Sequence, residues 1–127
     1  MLWNQYQTNL SSLSDRYGVL LPDLPSYATC NAHMFYLVCT SLNQRSSLIN
    51  YLSGFGVKAV FHYQSLHASS FYSRSSPLRT HDPLPNAEFF SDCLVRLPLY
   101  CELEISQVDW ICELIHDFFR VSRASVI

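Results

Sequence analysis

Apolar side chains recur at helical spacing near both ends of the 127-residue chain, so an amphipathic helix is predicted at each end. The two apolar stripes are Leu2, Trp3, Tyr6, Leu10 and Leu13, within residues 2–14, and Val108, Ile111, Cys112, Ile115, Phe118 and Phe119. Ser106 and Asp109 are predicted to cap the last helix. The first helix begins at Met1 with Trp3 already on its buried stripe, so we expect a helix that is cut off at its front.

Two shorter helices are predicted between these ends. Ser41 and Gln44 form a possible capping box for the first of them, which the glycines Gly54 and Gly56 would end. Its apolar stripe consists of Leu48, Ile49 and Leu52. The second is expected over residues 85–94, with a proline in its first turn.

Three short apolar runs predict strands. They are residues 33–39 (HMFYLVC), 57–63 (VKAVFHY) and 95–100 (VRLPLY). The continuous run at 33–39 is typical of a buried central strand, whereas Pro98 should end the third strand or place it at a sheet edge. Residues 20–32 and 64–84 lack periodicity and are predicted to be loops. This order of elements predicts one α+β domain with two layers, in which amphipathic helices cover a sheet of about three short strands.

Charged residues make up only 14% of the chain, compared with about 25% in typical domains. The surface therefore carries few charges. One explanation is a face that another domain or subunit covers, and the other is a domain whose surface is rich in Ser, Asn and Gln. The net charge of −2 and the scattered basic residues indicate no nucleic-acid partner. No secretory signal and no run of about 20 apolar residues is present, so we expect no membrane association.

The cysteines predict a reducing environment. They are Cys30, Cys39, Cys93, Cys101 and Cys112, an odd number without a C-x-x-C pair. This pattern argues against a disulfide framework or a zinc knuckle, so we expect a cytoplasmic protein. Cys112 lies on a helical stripe, where a thiol acts as a small apolar side chain.

Two histidines, His62 and His67, are the first candidates for chemistry. Their spacing places them on opposite faces of a strand, so they converge only if the chain turns between them. A metal site would need a third ligand such as His81 or Asp82, and the spacing matches no zinc pattern. A structural, half-buried imidazole and a pocket at the end of a strand both stay open.

Two basic residues each have a functional and a structural interpretation. Arg96 can bind an anion or pair with a carboxylate, although an edge-strand arginine that faces water is commoner. Lys58 is the only lysine, so Schiff-base chemistry within these residues would have to use it, and we expect no such role. No glycine-rich phosphate loop and no G-x-S-x-G elbow is present.

Three segments and the closing helix form a specific ordered set. The segments are "NAHMFYLV", "RSSLINYLSGFGVKAVFHYQSLH" and "SDCLVRLPLY". Together they resemble the C-terminal part of sugar-nucleotide aminotransferases of the DegT/DnrJ/EryC1/StrS family, which are pyridoxal-phosphate enzymes. The resemblance covers nearly the whole chain.

The resemblance implies that residues 1–127 are the small domain of a fold-type I pyridoxal-phosphate enzyme, with the large domain absent. In the family that large domain supplies the Schiff-base lysine, the acid at the pyridine nitrogen and the phosphate-binding groups. Neither a cofactor nor a catalytic residue is therefore expected in this chain. By the same resemblance, His62, Tyr63 and His67 line the sugar-nucleotide end of the cleft. The family often has proline where Ser65 stands, which leaves the shape of this turn open.

Three functions remain as hypotheses. The first is a truncated aminotransferase domain from nucleotide-sugar metabolism for surface polysaccharides, including lipopolysaccharide, without activity alone. The second is a binding or assembly module that self-associates or docks on a separate large domain. The third and weakest is a small enzyme that uses His62 and His67, so whether the chain is itself an enzyme stays open.

Overall fold

The computed structural model describes residues 1–75 and 83–124, which form helices packed on a small sheet. The helices are α1 (Leu2–Leu10), α2 (Ser12–Tyr17), α3 (Leu42–Gly54), α4 (Ser70–Ser75), α5 (Pro85–Cys93) and α6 (Ile105–Ala124). The strands are β1 (Phe35–Val38), β2 (Val60–Phe61) and β3 (Leu94–Leu97), and a 3-10 turn covers Leu66–Ala68. The predicted α+β domain is confirmed. No described helix is long and apolar enough to cross a membrane.

The sheet is antiparallel with strand order β1-β3-β2, which corrects one prediction. The run at 33–39, predicted to be central, supplies an edge strand, and β3 lies in the centre. Apolar contacts on both faces, rather than two neighbouring strands, bury most of β1. Its free edge makes only an isolated bridge between Leu20 and Val38. Pro98 directly follows β3 and ends it as predicted, because proline has no N–H for the ladder.

One sheet face packs against α1, α3 and α6 to form the main core. Its sheet residues are Phe35, Leu37, Val95 and Leu97, and its helical residues include Tyr6, Leu10, Leu48, Leu52, Val108, Ile115 and Phe119. The predicted apolar stripe of α6 is buried, and in α1 and α2 Tyr6, Leu10 and Leu13 are buried. The first predicted helix is split at Ser11, which itself has helical backbone angles.

The N-cap predicted for α3 is confirmed, although the Gln44 side chain accepts from Thr40 N at 2.9 Å rather than from Ser41 N, and the cap predicted for α6 is wrong. Ser41 Oγ accepts a hydrogen bond from Gln44 N at 3.2 Å, and Gly56 follows α3 with φ +77°. At the start of α6, Glu104 N donates to Gln107 Oε1 at 2.9 Å, so this pair replaces Ser106 and Asp109. The helix begins before Ser106, which leaves that serine inside its first turn.

The predicted loop at 64–84 contains the 3-10 turn and α4, while residues 76–82 lie outside the described residues. Ser69 Oγ accepts a hydrogen bond from Tyr72 N at 3.2 Å and so caps α4. The strand predicted at 57–63 is shortened to β2. The helix predicted at 85–94 is confirmed as α5, with Pro85 at its start.

Asp109→Ala is expected to lower the free energy of unfolding by about 1–3 kcal/mol, because it leaves two donors unpaired. Asp109 Oδ1 accepts hydrogen bonds from Gln5 Nε2 at 2.6 Å and Asn9 Nδ2 at 2.7 Å, joining α6 to α1. Urea denaturation followed by circular dichroism measures the change. Asp117→Ala, which removes an exposed pair with Arg120, is the control and should change stability by less than about 0.5 kcal/mol. Equal losses of stability in the two variants would contradict the role of Asp109 in joining α6 to α1.

Candidate functional site

The second sheet face carries a cleft of about 480 Å³. Strand pairing sets Tyr36, Arg96 and Val60 side by side, and Lys58 and His62 flank Val60 at alternate positions. The residues that line the cleft are His33, Met34, Lys58, Val60, His62, Tyr63, Arg96, Leu97, Pro98 and Leu99. Four of these side chains are basic or imidazole groups and none is a carboxylate. We call this site the basic cleft.

Arg96 lies at the centre of the sheet rather than at an edge facing water, which corrects the commoner interpretation of this residue. It belongs to β3 and is half-buried between the partners on its two sides. Its guanidinium lies 5.6 Å from the centroid of the Tyr63 ring, in a cation–π contact. Its Nε atom is buried and has no hydrogen-bond partner among the described residues.

The three residues predicted to contact substrate lie along one groove beside the basic cleft. His62, Tyr63 and His67 all line this groove of about 400 Å³, together with apolar side chains such as Leu84 and Phe90. We call it the apolar groove. His62 and Tyr63 also line the basic cleft, so they stand at the border between the two. Their role in binding stays a prediction.

Each of the three has a different environment. The His62 ring lies 5.1 Å from the Tyr63 ring, and its Nδ1 atom is buried without a partner among the described residues. His67 Nε2 lies 3.0 Å from Glu88 Oε1, which holds this imidazole against α5. Tyr63 is 75% exposed, so its ring can contact a ligand bound in the basic cleft or in the apolar groove.

The turn between the histidines is compatible with the family's usual proline. Ser65 has φ −60°, close to the value that a proline ring fixes. Gln64 Nε2 donates to the carbonyl of Ala68 at 3.2 Å and closes the turn. Ser65 therefore has the backbone angle that a proline would have, but it does not rigidify the turn as a proline ring would.

The basic cleft contains a lysine but not the acid that a pyridoxal-phosphate site would need. Lys58 is exposed on the rim of the basic cleft, and the lining offers no carboxylate to pair with a pyridine nitrogen. No group of three metal-ligating side chains occurs among the described residues. His81 and Asp82, the possible third ligands, lie outside them.

The buried cysteines are not activated as nucleophiles. Burial raises the pKa of the Cys39 thiol and of the Cys112 thiol to about 12. It also raises the pKa of Cys93, which lies opposite Cys39 with its carbonyl accepting the Cys39 N–H at 2.9 Å. A thiolate is the reactive form, so these three side chains serve packing. All five thiols are free, and Cys30 and Cys101 are exposed.

His33 is a site residue for which sequence reasoning gave no role. Ala32 has φ +52°, a conformation that bends the chain just before β1 and brings His33 to the cleft. Asn31 Oδ1 lies 2.7 Å from His33 Nδ1 and fixes the imidazole. The only sequence signal was the position of this histidine beside a buried strand.

The fold is that of solved aminotransferases. TlmJ, an aminotransferase from Streptoalloteichus hindustanus, matches with a TM-score of 0.80 and 23% identity, over 96% of this chain and 31% of its own. DesV from S. venezuelae, solved with a ketimine intermediate, matches with a TM-score of 0.78 and 24% identity, over 92% of this chain and 30% of its own. Helicobacter pylori PseC, an aminotransferase involved in the biosynthesis of pseudoaminic acid, matches with a TM-score of 0.75 and 18% identity, over 94% of this chain and 31% of its own. The chain thus spans about a third of these proteins.

The family follows from the sequence itself. The model of the DegT/DnrJ/EryC1/StrS aminotransferase family matches residues 1–116, which is most of the chain. This protein belongs to that family. The resemblance carried by the three ordered segments is therefore confirmed at the family level.

Proposed function

We propose that residues 1–127 form the small domain of a pyridoxal-phosphate-dependent sugar-nucleotide aminotransferase. The family match over residues 1–116 carries this proposal. It favours an enzyme domain over an independent binding or assembly module. The partner is then a larger, cofactor-binding domain placed over the open sheet face, and these residues do not transaminate alone.

The chain's own residues would bind and orient substrate in this enzyme. His62 and Tyr63, at the border of the two sites, would contact the sugar nucleotide, and His67 would do so from its position beside Glu88. Pyridoxal phosphate would supply the amino-group transfer, and its ligands would come from the larger domain. This division of roles between the two domains is supported by the lining of the basic cleft, which contains Lys58 but no carboxylate.

We propose a 4-keto sugar nucleotide as substrate, because the three ordered segments resemble those of dTDP-4-amino-4,6-dideoxygalactose transaminases. The pathway would be the synthesis of nucleotide sugars for surface polysaccharides such as lipopolysaccharide. We place the enzyme in a reducing cytoplasm, which is supported by its five free thiols.

Reconstitution tests this function. The chain is mixed with the separately produced cofactor domain of a family member, and amino transfer from glutamate to a dTDP-4-keto sugar is measured. We expect activity only in the mixture, with kcat/KM reduced about 10-fold or more in His62→Ala, a loss typical of one polar substrate contact.

A borohydride experiment supplies the control. The chain alone, treated with pyridoxal phosphate and then reduced, should carry no stoichiometric label at Lys58. Saturable labelling of Lys58 in the chain alone, abolished in Lys58→Arg, would overturn the proposed division of labour. Full activity of His62→Ala in the mixture would remove this histidine from the substrate site.

A further inference from the structure

We infer that Glu88 is a positioning residue, which orients the His67 imidazole in the apolar groove so that its Nδ1 atom accepts a hydrogen bond from the ligand. The inference rests on the proposed function for the identity of that ligand, and it adds the proton state of the imidazole and the residue that sets it. The preferred partner of His67 is then a hydroxyl or N–H group of the ligand rather than a carbonyl.

The contact between the two side chains places the proton. His67 Nε2 lies 3.0 Å from Glu88 Oε1. An ionised carboxylate can only accept hydrogen bonds, so Nε2 carries the hydrogen and donates it. In the neutral imidazole, Nδ1 then keeps a lone pair, and no hydrogen bond joins this atom to another of the described residues. Nδ1 is therefore the ring nitrogen left for a ligand.

Glu88 acts on the imidazole without forming part of the groove. His67 lines the groove, and α5 contributes Ala87, Phe90 and Ser91 to its wall, but Glu88 is not among the lining residues. The His67 side chain is only 15% exposed, whereas that of Glu88 is 49% exposed. The carboxylate thus holds a largely covered ring from a more exposed position, and a ligand in the groove meets the imidazole rather than the carboxylate.

The segment that carries His67 is tied to the same helix at a second point. Ser91 Oγ donates a hydrogen bond to the carbonyl of Tyr63 at 3.3 Å. Glu88 and Ser91 are three residues apart, so they lie on one face of α5. Ser91 therefore holds the backbone ahead of the turn, while Glu88 holds the side chain within it.

Glu88 also has a structural role that the test must separate from positioning. It lies in the first turn of α5, where a negative charge stabilises a helix through its dipole. That stabilisation does not depend on His67. Positioning acts only through the imidazole, so its effect disappears when His67 is removed.

Nitrogen NMR of the 127-residue chain at about pH 8.5, where an ordinary imidazole is neutral, tests the proton state. We expect His67 to show a protonated Nε2 and an unprotonated Nδ1. The Nε2 proton should be visible in wild type and in Glu113→Ala, which removes an exposed carboxylate from α6, and lost through exchange in Glu88→Ala. A proton on Nδ1, or an Nε2 proton unchanged in Glu88→Ala, would overturn the inference.

The reconstituted enzyme tests the consequence for binding. Glu88→Ala should raise KM for the dTDP-4-keto sugar about 5-fold or more and change kcat less than about 2-fold, as expected for a weakened binding contact. Glu88→Gln keeps an acceptor at this position, so its KM should stay within about 2-fold of wild type. In a His67→Ala background, Glu88→Ala should not change KM further.

Two kinetic results would remove the positioning role and leave Glu88 as a residue that only stabilises α5. They are equal KM increases in Glu88→Gln and Glu88→Ala, and an undiminished effect of Glu88→Ala in the absence of His67. Because Glu88 is exposed, its variants should fold. An inactive mixture would contradict the proposed function, while the NMR spectra of the chain alone would still decide the proton state of His67.

Discussion

Replacing Phe35 by alanine is expected to lower the free energy of unfolding by about 3–5 kcal/mol, the range for large aromatic truncations in a core. Phe35 is fully buried at the start of β1. Its ring centroid lies 5.0 Å from that of Tyr6 and 5.4 Å from that of Trp3, so one side chain joins the sheet to α1. Since domains of this size are stable by only about 5–15 kcal/mol, the variant should lose a large part of its free energy of unfolding.

Urea denaturation followed by circular dichroism measures this loss. Phe71→Ala is the matched control, because it removes the same atoms from a side chain that is 71% exposed on α4. We expect the control to change stability by less than about 0.5 kcal/mol. Similar losses in the two variants would mean that the aromatic contacts of Phe35 do not hold α1 on the sheet.

Raising the pH from about 9 to about 11 is expected to lower the free energy of unfolding by about 4 kcal/mol. Burial raises the pKa of Cys39 and Cys112 from 9.0 to about 12, so the native state keeps protons that the unfolded chain releases. The stabilisation is complete below pH 9 and is lost as the pH rises towards 12. Burial of Tyr6 raises its pKa as well and acts in the same direction.

Chemical denaturation at a series of pH values, under reducing conditions, gives the slope. The double variant Cys39→Ala/Cys112→Ala should lose most of the pH dependence above 9, even if the small cavities lower its stability throughout. Cys101→Ala, at an exposed position, should keep the wild-type slope. An unchanged slope in the double variant would place the titrating groups elsewhere.

Local sequence patterns predicted the helices well because a buried helical face leaves its period in the sequence. The stripes of α1 and α6 and the Ser41 cap depend on neighbours three or four residues apart. Strand order depends on partners far away in the chain. Phe35–Val38 had the composition of a central strand, yet pairing with Leu94–Leu97 on one side only makes it an edge.

The site was predictable only where its members are neighbours in sequence. His62, Tyr63 and His67 are separated by one short turn, and the structure brings them to one groove. Arg96 reaches the cleft through its pairing with Val60, which no local pattern shows. The sequence therefore named His62, Tyr63, His67 and Arg96 as separate candidates, but it did not show that they lie side by side, and their role in binding stays a prediction.

Helix α5 passes into β3 without a connecting loop, since Cys93 ends the helix and Leu94 begins the strand. Phe90 and Ser91, on α5, form part of the wall of the apolar groove, and Arg96, on β3, lines the basic cleft. The walls of the two cavities are therefore joined by one uninterrupted stretch of regular backbone. Arg96 lies three residues after the last residue of α5, so the placement of this helix directly determines where the arginine enters the basic cleft.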